Sequence, residues 1–158
     1  MGALAAFVAA GWALALVVVA GAHRSGYSHA SQYISELGEY GSTDGRWVSW
    51  LGFFPIGVLA AAASLLVQPK LRPSRLLAIG VAAVGLATFV GYGGSAVWRC
   101  DTGCPETGGS TAQDMHLLVS AVDWLGVMVG FVCTAIAMRS IRPRCITTTR
   151  PAMANASS

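Results

Sequence analysis

His23, His29 and His116 are the three histidines of this 158-residue chain. With Glu36, Asp101 and Asp123 they make up a set of side chains able to do acid–base or metal chemistry. Imidazole and carboxylate are the common proton carriers of enzymes at neutral pH, and Glu36, Asp101, His116 and Asp123 are the catalytic candidates. The same groups would suit zinc with an open position for water, with His23, His29 and His116 as the candidate ligands. Their spacing is less directive, since no His-x-x-x-His or His-Glu-x-x-His pair places two ligands on one helix face. The default reading is therefore no cofactor, with zinc as the alternative. The paired histidines of a haem site are missing. His116, Ser120 and Asp123 stand at i, i+4 and i+7, on one helix face. Asp123 then sits about 10 Å below His116 along the axis. A serine nucleophile needs a base within hydrogen-bond reach. Ser31 or Ser35 near His116 would be such a pair, but the G-x-S-x-G turn is absent. Gly91-Tyr92-Gly93-Gly94 lies inside an apolar run and serves close packing, and no Walker or dinucleotide fingerprint exists.

Four long apolar runs must position these groups, at about 3–22, 47–67, 76–98 and 115–138. Each is long enough for a hydrocarbon core of about 30 Å. With 54% hydrophobic and 11% charged residues, the composition is far from the roughly 25% charge of a soluble domain. The runs are continuous rather than alternating, so they read as helices and not as barrel strands. The sequence predicts an all-α, polytopic membrane helical bundle of four transmembrane helices. Residues 1–145 form a single domain, and a Thr-, Ser- and Ala-rich tail, 146–158, is expected to be disordered. Lys70, Arg72, Arg75, Arg139, Arg142, Arg144 and Arg150 fall on one side, and Arg24, Arg46 and Arg99 on the other. The positive-inside rule makes the first side cytoplasmic, with both termini inside and the first and third loops outside a multi-pass cell-membrane protein. The net charge of +3 is that bias, and it does not point to nucleic acid. Ala20-Gly21-Ala22 also fits a signal-peptidase site, but no basic segment precedes the apolar stretch, so an uncleaved anchor is the preferred reading.

All three histidines and nearly all acids thus gather at the outer face. Asp123 is the charge inside a span, where it costs on the order of 3 kcal/mol unless it faces a cavity, a partner or a proton. It is either a functional carboxylate or a tie to Ser120 or a neighbouring helix. In the first loop, Ala30, Tyr33, Ile34 and Leu37 recur at helical spacing. A short interfacial helix is predicted from a Ser28 cap through Leu37, with Gly38 as its stop. Pro55, between Gly52 and Gly57, predicts either a kink in the outer half of the second span or a proline tolerated because neighbouring helices resatisfy the backbone. Ala83, Ala87, Gly91 and Ser95, and then Gly126, Gly130 and Thr134, form ridges of small residues for close helix approach. The approach is within the bundle or between protomers of a homo-oligomer. Cys100 and Cys104 lie in an outer loop, where either a structural disulfide or half of a metal site is open to them, the disulfide being favoured. Cys133 and Cys145 have no evident partner.

Two segments carry a family likeness. Tyr27-Ser28-His29-Ala30-Ser31-Gln32-Tyr33-Ile34-Ser35-Glu36-Leu37-Gly38 and Cys100-Asp101-Thr102-Gly103-Cys104-Pro105, followed by His116, resemble the prokaryotic integral-membrane family known as domain-of-unknown-function 998. The likeness covers about Ala3–Met138. It implies a helical membrane protein with signature residues in the outer loops, and brings no established activity. Members usually carry more spans than four, so the chain reads as a short member, a truncated gene or a subunit completed by association. The alanine-rich, lysine-poor composition is similar to that of a high-GC bacterium.

Three functions fit these observations. The leading one is a non-enzymatic accessory, scaffold or small-ligand-binding bundle with a polar extracytoplasmic mouth in the lipid bilayer. A membrane-embedded hydrolase or transferase acting on a lipid or envelope substrate would instead require Glu36, Asp101, His116 and Asp123 to converge. A small transporter or proton-relay subunit would require a polar path inward from Asp123, and the inner halves of the spans offer no further charge.

Overall fold

A long apolar segment in lipid must satisfy its own N–H and C=O groups, and a helix does so internally. The computed structural model describes residues 2–71 and 74–146, with side chains through Ser140. Its described residues form helices and loops, without a strand. Four helices are long and apolar enough to cross a membrane: Gly2–His23, Gly45–Leu71, Arg75–Val97 and Thr111–Ser140. The fourth continues as helix to Ile146. The rest of the tail predicted to be disordered lies outside the described residues. Large apolar side chains cover the outside of the bundle, among them Phe7, Trp124 and Leu125, exposed by 77%, 73% and 69%. A soluble domain would bury such residues; lipid makes their exposure favourable.

The spans pack in chain order, the first on the second, the second on the third and the third on the fourth. The first two run antiparallel, with Gly2 beside Ala63 and Val67 and Gly52 beside Leu16. The second span has a wide turn of i→i+5 type over Val48–Phe53, just before Pro55. Proline has no N–H to offer the carbonyl one turn back, so Leu51 O is left without its helical donor. The indole of Trp12 fills that vacancy, donating from Nε1 at 3.0 Å. The irregularity expected at Pro55 is thus resolved by a side chain of the neighbouring helix.

A second wide turn spans Phe89–Gly93. Glycine there admits neighbouring backbone: a Cβ on Gly57 would lie 3.1 Å from Gly93 N and 3.2 Å from Phe89 Cα. The small-residue ridges meet one another inside the chain. Gly126 faces Ala87, Gly130 faces Val84 and the Gly80 carbonyl, and Gly80 faces Thr134. Close backbone approach between the third and fourth spans accounts for the pattern without a second protomer.

The predicted Ser28–Leu37 helix is corrected by the structure. Residues Ser28–Gln32 form a turn, with the Ser31 and Gln32 N–H groups donating to Ser28 O. A single short 3-10 helix then covers Ile34–Gly38. Ser28 does not cap it; its own N–H donates to Gln32 Oε1 at 2.8 Å. Tyr33 is extended, with φ −73° and ψ 145°, so helix cannot propagate through it. Local side-chain bonds outcompeted the helical periodicity.

Candidate functional site

Both loops on the face opposite the Lys70–Arg75 connection fold over the helix ends, and the 3-10 helix is their centre. Glu36 accepts from the Tyr33 N–H through Oε1 at 2.9 Å and from Gln32 Nε2 through Oε2 at 2.7 Å. The first contact is the return half of a capping box, in which the third residue satisfies the donor at the helix start. Leu37 is buried in a cluster with Val48, Phe53 and Ala96. Gly38 packs so tightly that a Cβ would come within 2.7 Å of the Phe53 ring and 2.9 Å of Ser49 Oγ.

Two arginines then close the other end. Arg24 donates to the Glu36 carbonyl and to the Glu39 carboxylate. Arg99 donates from Nε to Gly38 O at 2.7 Å and from a second nitrogen to Glu39 O. The last carbonyls of a helix lack internal donors and carry partial negative charge, so cations are favoured there. Glu39 is 3% exposed, and its second oxygen accepts from the Gly103 N–H at 2.6 Å. That contact ties the first loop to the second, and the Tyr40 N–H to Cys100 O bond of 2.8 Å repeats the tie. The Arg99 guanidinium lies 4.6 Å from the centre of the Tyr40 ring.

The second loop turns sharply at Asp101–Cys104, closed by Cys104 N–H to Asp101 O at 2.8 Å. Gly103 sits at φ 77° and Cys104, a non-glycine residue, at φ 44°. A disulfide joins Cys100 to Cys104 across a Cα separation of 5.0 Å. Asp101 accepts from the N–H and hydroxyl of Ser110 at 2.7 and 2.8 Å, and so fixes the residue that starts the fourth helix. Fully buried Gln113 clamps the loop from that helix: Oε1 accepts from the Asp101 N–H at 2.9 Å and Nε2 donates to Pro105 O at 2.6 Å. His116 is buried one turn further on. Its Nδ1 bonds Trp98 O at 3.0 Å, and since a carbonyl can only accept, Nδ1 carries the proton.

A cavity of about 780 Å³ opens between the first two spans beneath this lid. Trp12, Leu16, Val19 and Leu51 form its apolar part, and His23, Arg24, Glu39 and Asp44 its polar rim. Trp12, Val19 and Leu51 are about half exposed, so the cavity faces the surroundings of the helices and not the bundle interior.

The four candidate catalytic residues occupy different surroundings. Glu36 belongs to the helix cap, Asp101 to the start of the fourth helix and His116 to Trp98 O. Asp123 rests against Gly91, where a Cβ would come within 2.5 Å of the carboxylate, and its Oδ1 is buried without a hydrogen bond. No hydrogen bond joins any two of the four among the described residues. The three histidines are likewise not assembled as a ligand set. His23 is on the cavity rim, and His29 stacks edge-on against Tyr27 with ring centres 5.0 Å apart. His116 instead neighbours Cys100 and Cys104; one ligand atom from each of the three lies within 4.8 Å of the others. Among the described residues this is the one such gathering of histidine, cysteine and acidic groups.

Arg24 and Arg99 are candidate partners of Glu36 from the sequence, whereas the roles of Glu39 and Gln113 emerge only in the structure. A signal for Glu39 was available. Topology places both arginines at span ends on the same face as Glu36 and Glu39, which brings Arg24 to the Glu39 carboxylate and Arg99 to the Gly38 and Glu39 carbonyls. Gln113 carries no charge or motif that would mark it in advance.

Neither a curated protein nor a solved structure matches the chain. The family described as "Protein of unknown function (DUF998)" matches over residues 7–155, a range that includes most of the first span, the other three, the clamped Ile34–Gly38 helix and the Cys100–Cys104 turn. The chain belongs to that family.

Proposed function

We propose that this protein is a non-enzymatic, ligand-binding membrane protein that holds an amphiphile at the extracytoplasmic interface. One observation carries the reading: the cavity of about 780 Å³ between the first and second spans joins an apolar wall to a charged rim. An occupant lying there would place its chain against Trp12, Leu16, Val19 and Leu51 and its polar group near His23 and Asp44. Small-ligand sites have this character, a mostly apolar lining with a few placed polar groups. The charge asymmetry of the loops supports an outward-facing lid. The reading also agrees with Glu36, Glu39, Asp101, Arg24 and Arg99 being taken up in bonds within the lid. Those bonds give the mouth a fixed shape and spend Glu36 and Asp101 on other partners, so the four groups named for a hydrolase do not converge among the described residues.

The test is native mass spectrometry of the purified protein, with identification of co-purifying lipid. Ala15 lines the cavity, and Ala15→Trp should abolish the adduct. Val129→Trp, on a surface 56% exposed, should retain it. Equal adducts in both variants, or none in the wild type beyond ordinary detergent binding, would refute the reading.

A further inference from the structure

We propose that Cys100, Cys104 and His116 are a redox-gated site for a thiophilic divalent cation of the zinc class, closed to metal as the disulfide and open to it as the dithiol. The proposal does not rest on the amphiphile reading. All three residues are buried, at 1%, 6% and 5% exposure. They come from two separate places, Cys100 and Cys104 from the loop after the third span and His116 from the first turns of the fourth span. A disulfide needs no imidazole beside it, yet His116 stands with both sulfurs, each ligand atom within 4.8 Å of the others. Tetrahedral zinc with bonds of about 2.0–2.3 Å separates its ligands by roughly 3.5–3.8 Å, so modest side-chain movement would complete the set.

The surroundings hold these groups independently of the sulfur–sulfur bond. Tyr40 N–H binds Cys100 O at 2.8 Å, and Gln113 fixes Asp101 and Pro105 on either side of Cys104. The His116 Nδ1–H bond to Trp98 O is the arrangement that sets the tautomer and orientation of a ligating imidazole. The other ring nitrogen has no hydrogen bond among the described residues. Two thiolates and a neutral imidazole also neutralise a divalent charge, which suits a largely buried site.

Opening the site takes two electrons and two protons. A dithiol reductant gives both, becoming a disulfide itself while Cys100 and Cys104 become thiols. A divalent ion then displaces the two thiol protons and binds two thiolates and the imidazole, leaving a fourth position for water. Cys100 Sγ lies 3.5 Å from Ser35 O, an acceptor for its proton in the thiol state.

The experiment uses full-length protein in detergent with Cys133→Ser and Cys145→Ser, so that the pair supplies every thiol. A phosphine reduces it, taking oxygen from water to become the phosphine oxide, and Co²⁺ is then titrated. The expected result is a thiolate-to-cobalt charge-transfer band saturating at one ion per chain, displaced by Zn²⁺, and absent from the oxidised protein. His116→Gln should weaken binding by at least about tenfold. Should that variant fail to fold, Zn²⁺ must protect both thiols of the parent protein from alkylation. A phosphine-resistant disulfide in the folded protein, no cobalt band after reduction, unprotected thiols, or undiminished binding by a folded His116→Gln would each overturn the proposal.

Discussion

Arg24 and Arg99 converge on the carbonyls of Glu36, Gly38 and Glu39, and that convergence decides what the nearby acids can do. Arg99→Ala removes the charged donor from Gly38 O and Glu39 O and leaves them only the hydroxyls of Ser49 and Ser42. The expected cost is about 1–3 kcal/mol, the range for losing charge-assisted bonds at partly buried acceptors, seen as a lower thermal midpoint in detergent. Arg99→Lys should recover only part of it, because an ammonium cannot reproduce the two-point fork. Gly38→Ala tests the close packing on Phe53 and Ser49 and should destabilise by about 1–3 kcal/mol as an overpacking change; an unchanged midpoint would contradict the geometry. Tyr33 donates its phenol to Glu106 at 3.0 Å, and this bond with the negative charge beside it holds the phenol above its ordinary value of 10.0. A folded value raised above the unfolded one means the contact favours folding at pH below 10 and is lost as pH rises past the folded value. Glu106→Gln should move the tyrosinate absorbance transition of Tyr33 downward, measured against a Tyr33→Phe baseline.

At the scale of elements, a missing donor in one helix is matched by a side chain from its neighbour. Pro55 frees Leu51 O and Trp12 Nε1–H takes it, so the two substitutions should be coupled. Trp12→Phe alone should cost about 0.5–1.5 kcal/mol, the range for interhelical hydrogen bonds in membranes. In a Pro55→Ala background the new N–H can serve Leu51 O, and the hydrogen-bond part of that cost should fall away. A double-mutant cycle with zero coupling would remove the bond from the account. The third and fourth spans depend instead on absent side chains. Gly130→Leu would drive a side chain into Val84 and the Gly80 backbone, and loss of the folded peak on size exclusion is expected. The loop helix shows how local competition shortens an element. Ala30, Tyr33, Ile34 and Leu37 have helical spacing, yet Gln32 and Glu36 bind backbone N–H groups at Ser28 and Tyr33, and helix is confined to Ile34–Gly38.

For the whole molecule, the positive-inside rule predicts the face on which the lid lies. Thr43→Cys, in the lid loop, should react with an impermeant thiol reagent in intact cells, whereas Leu71→Cys should react only after permeabilisation; the opposite pattern would invert the topology and place the cavity inside. The spans themselves were legible in the sequence because lipid imposes a one-dimensional rule: enough consecutive apolar residues to cross the hydrocarbon, in a structure that satisfies its own backbone. The motif residues Glu36, Leu37, Gly38, Cys100 and Asp101 were also visible as a concentrated signal at one face. Their roles were not, because a carboxylate looks the same in a sequence whether it accepts from a backbone N–H, as Glu36 does, pairs with an arginine, as Glu39 does, or stands unbonded, as Asp123 Oδ1 does. Which small residues face which, and that His116 joins two cysteines and not two histidines, follow from contacts between segments far apart in the chain. The sequence by itself determined the solvent, the number of crossings and the face where polar groups collect, since these depend on composition and local order. The tertiary structure alone decided the partners, because hydrogen bonds and packing are set by three-dimensional distance and direction, and neither is written in the spacing of residues along a chain.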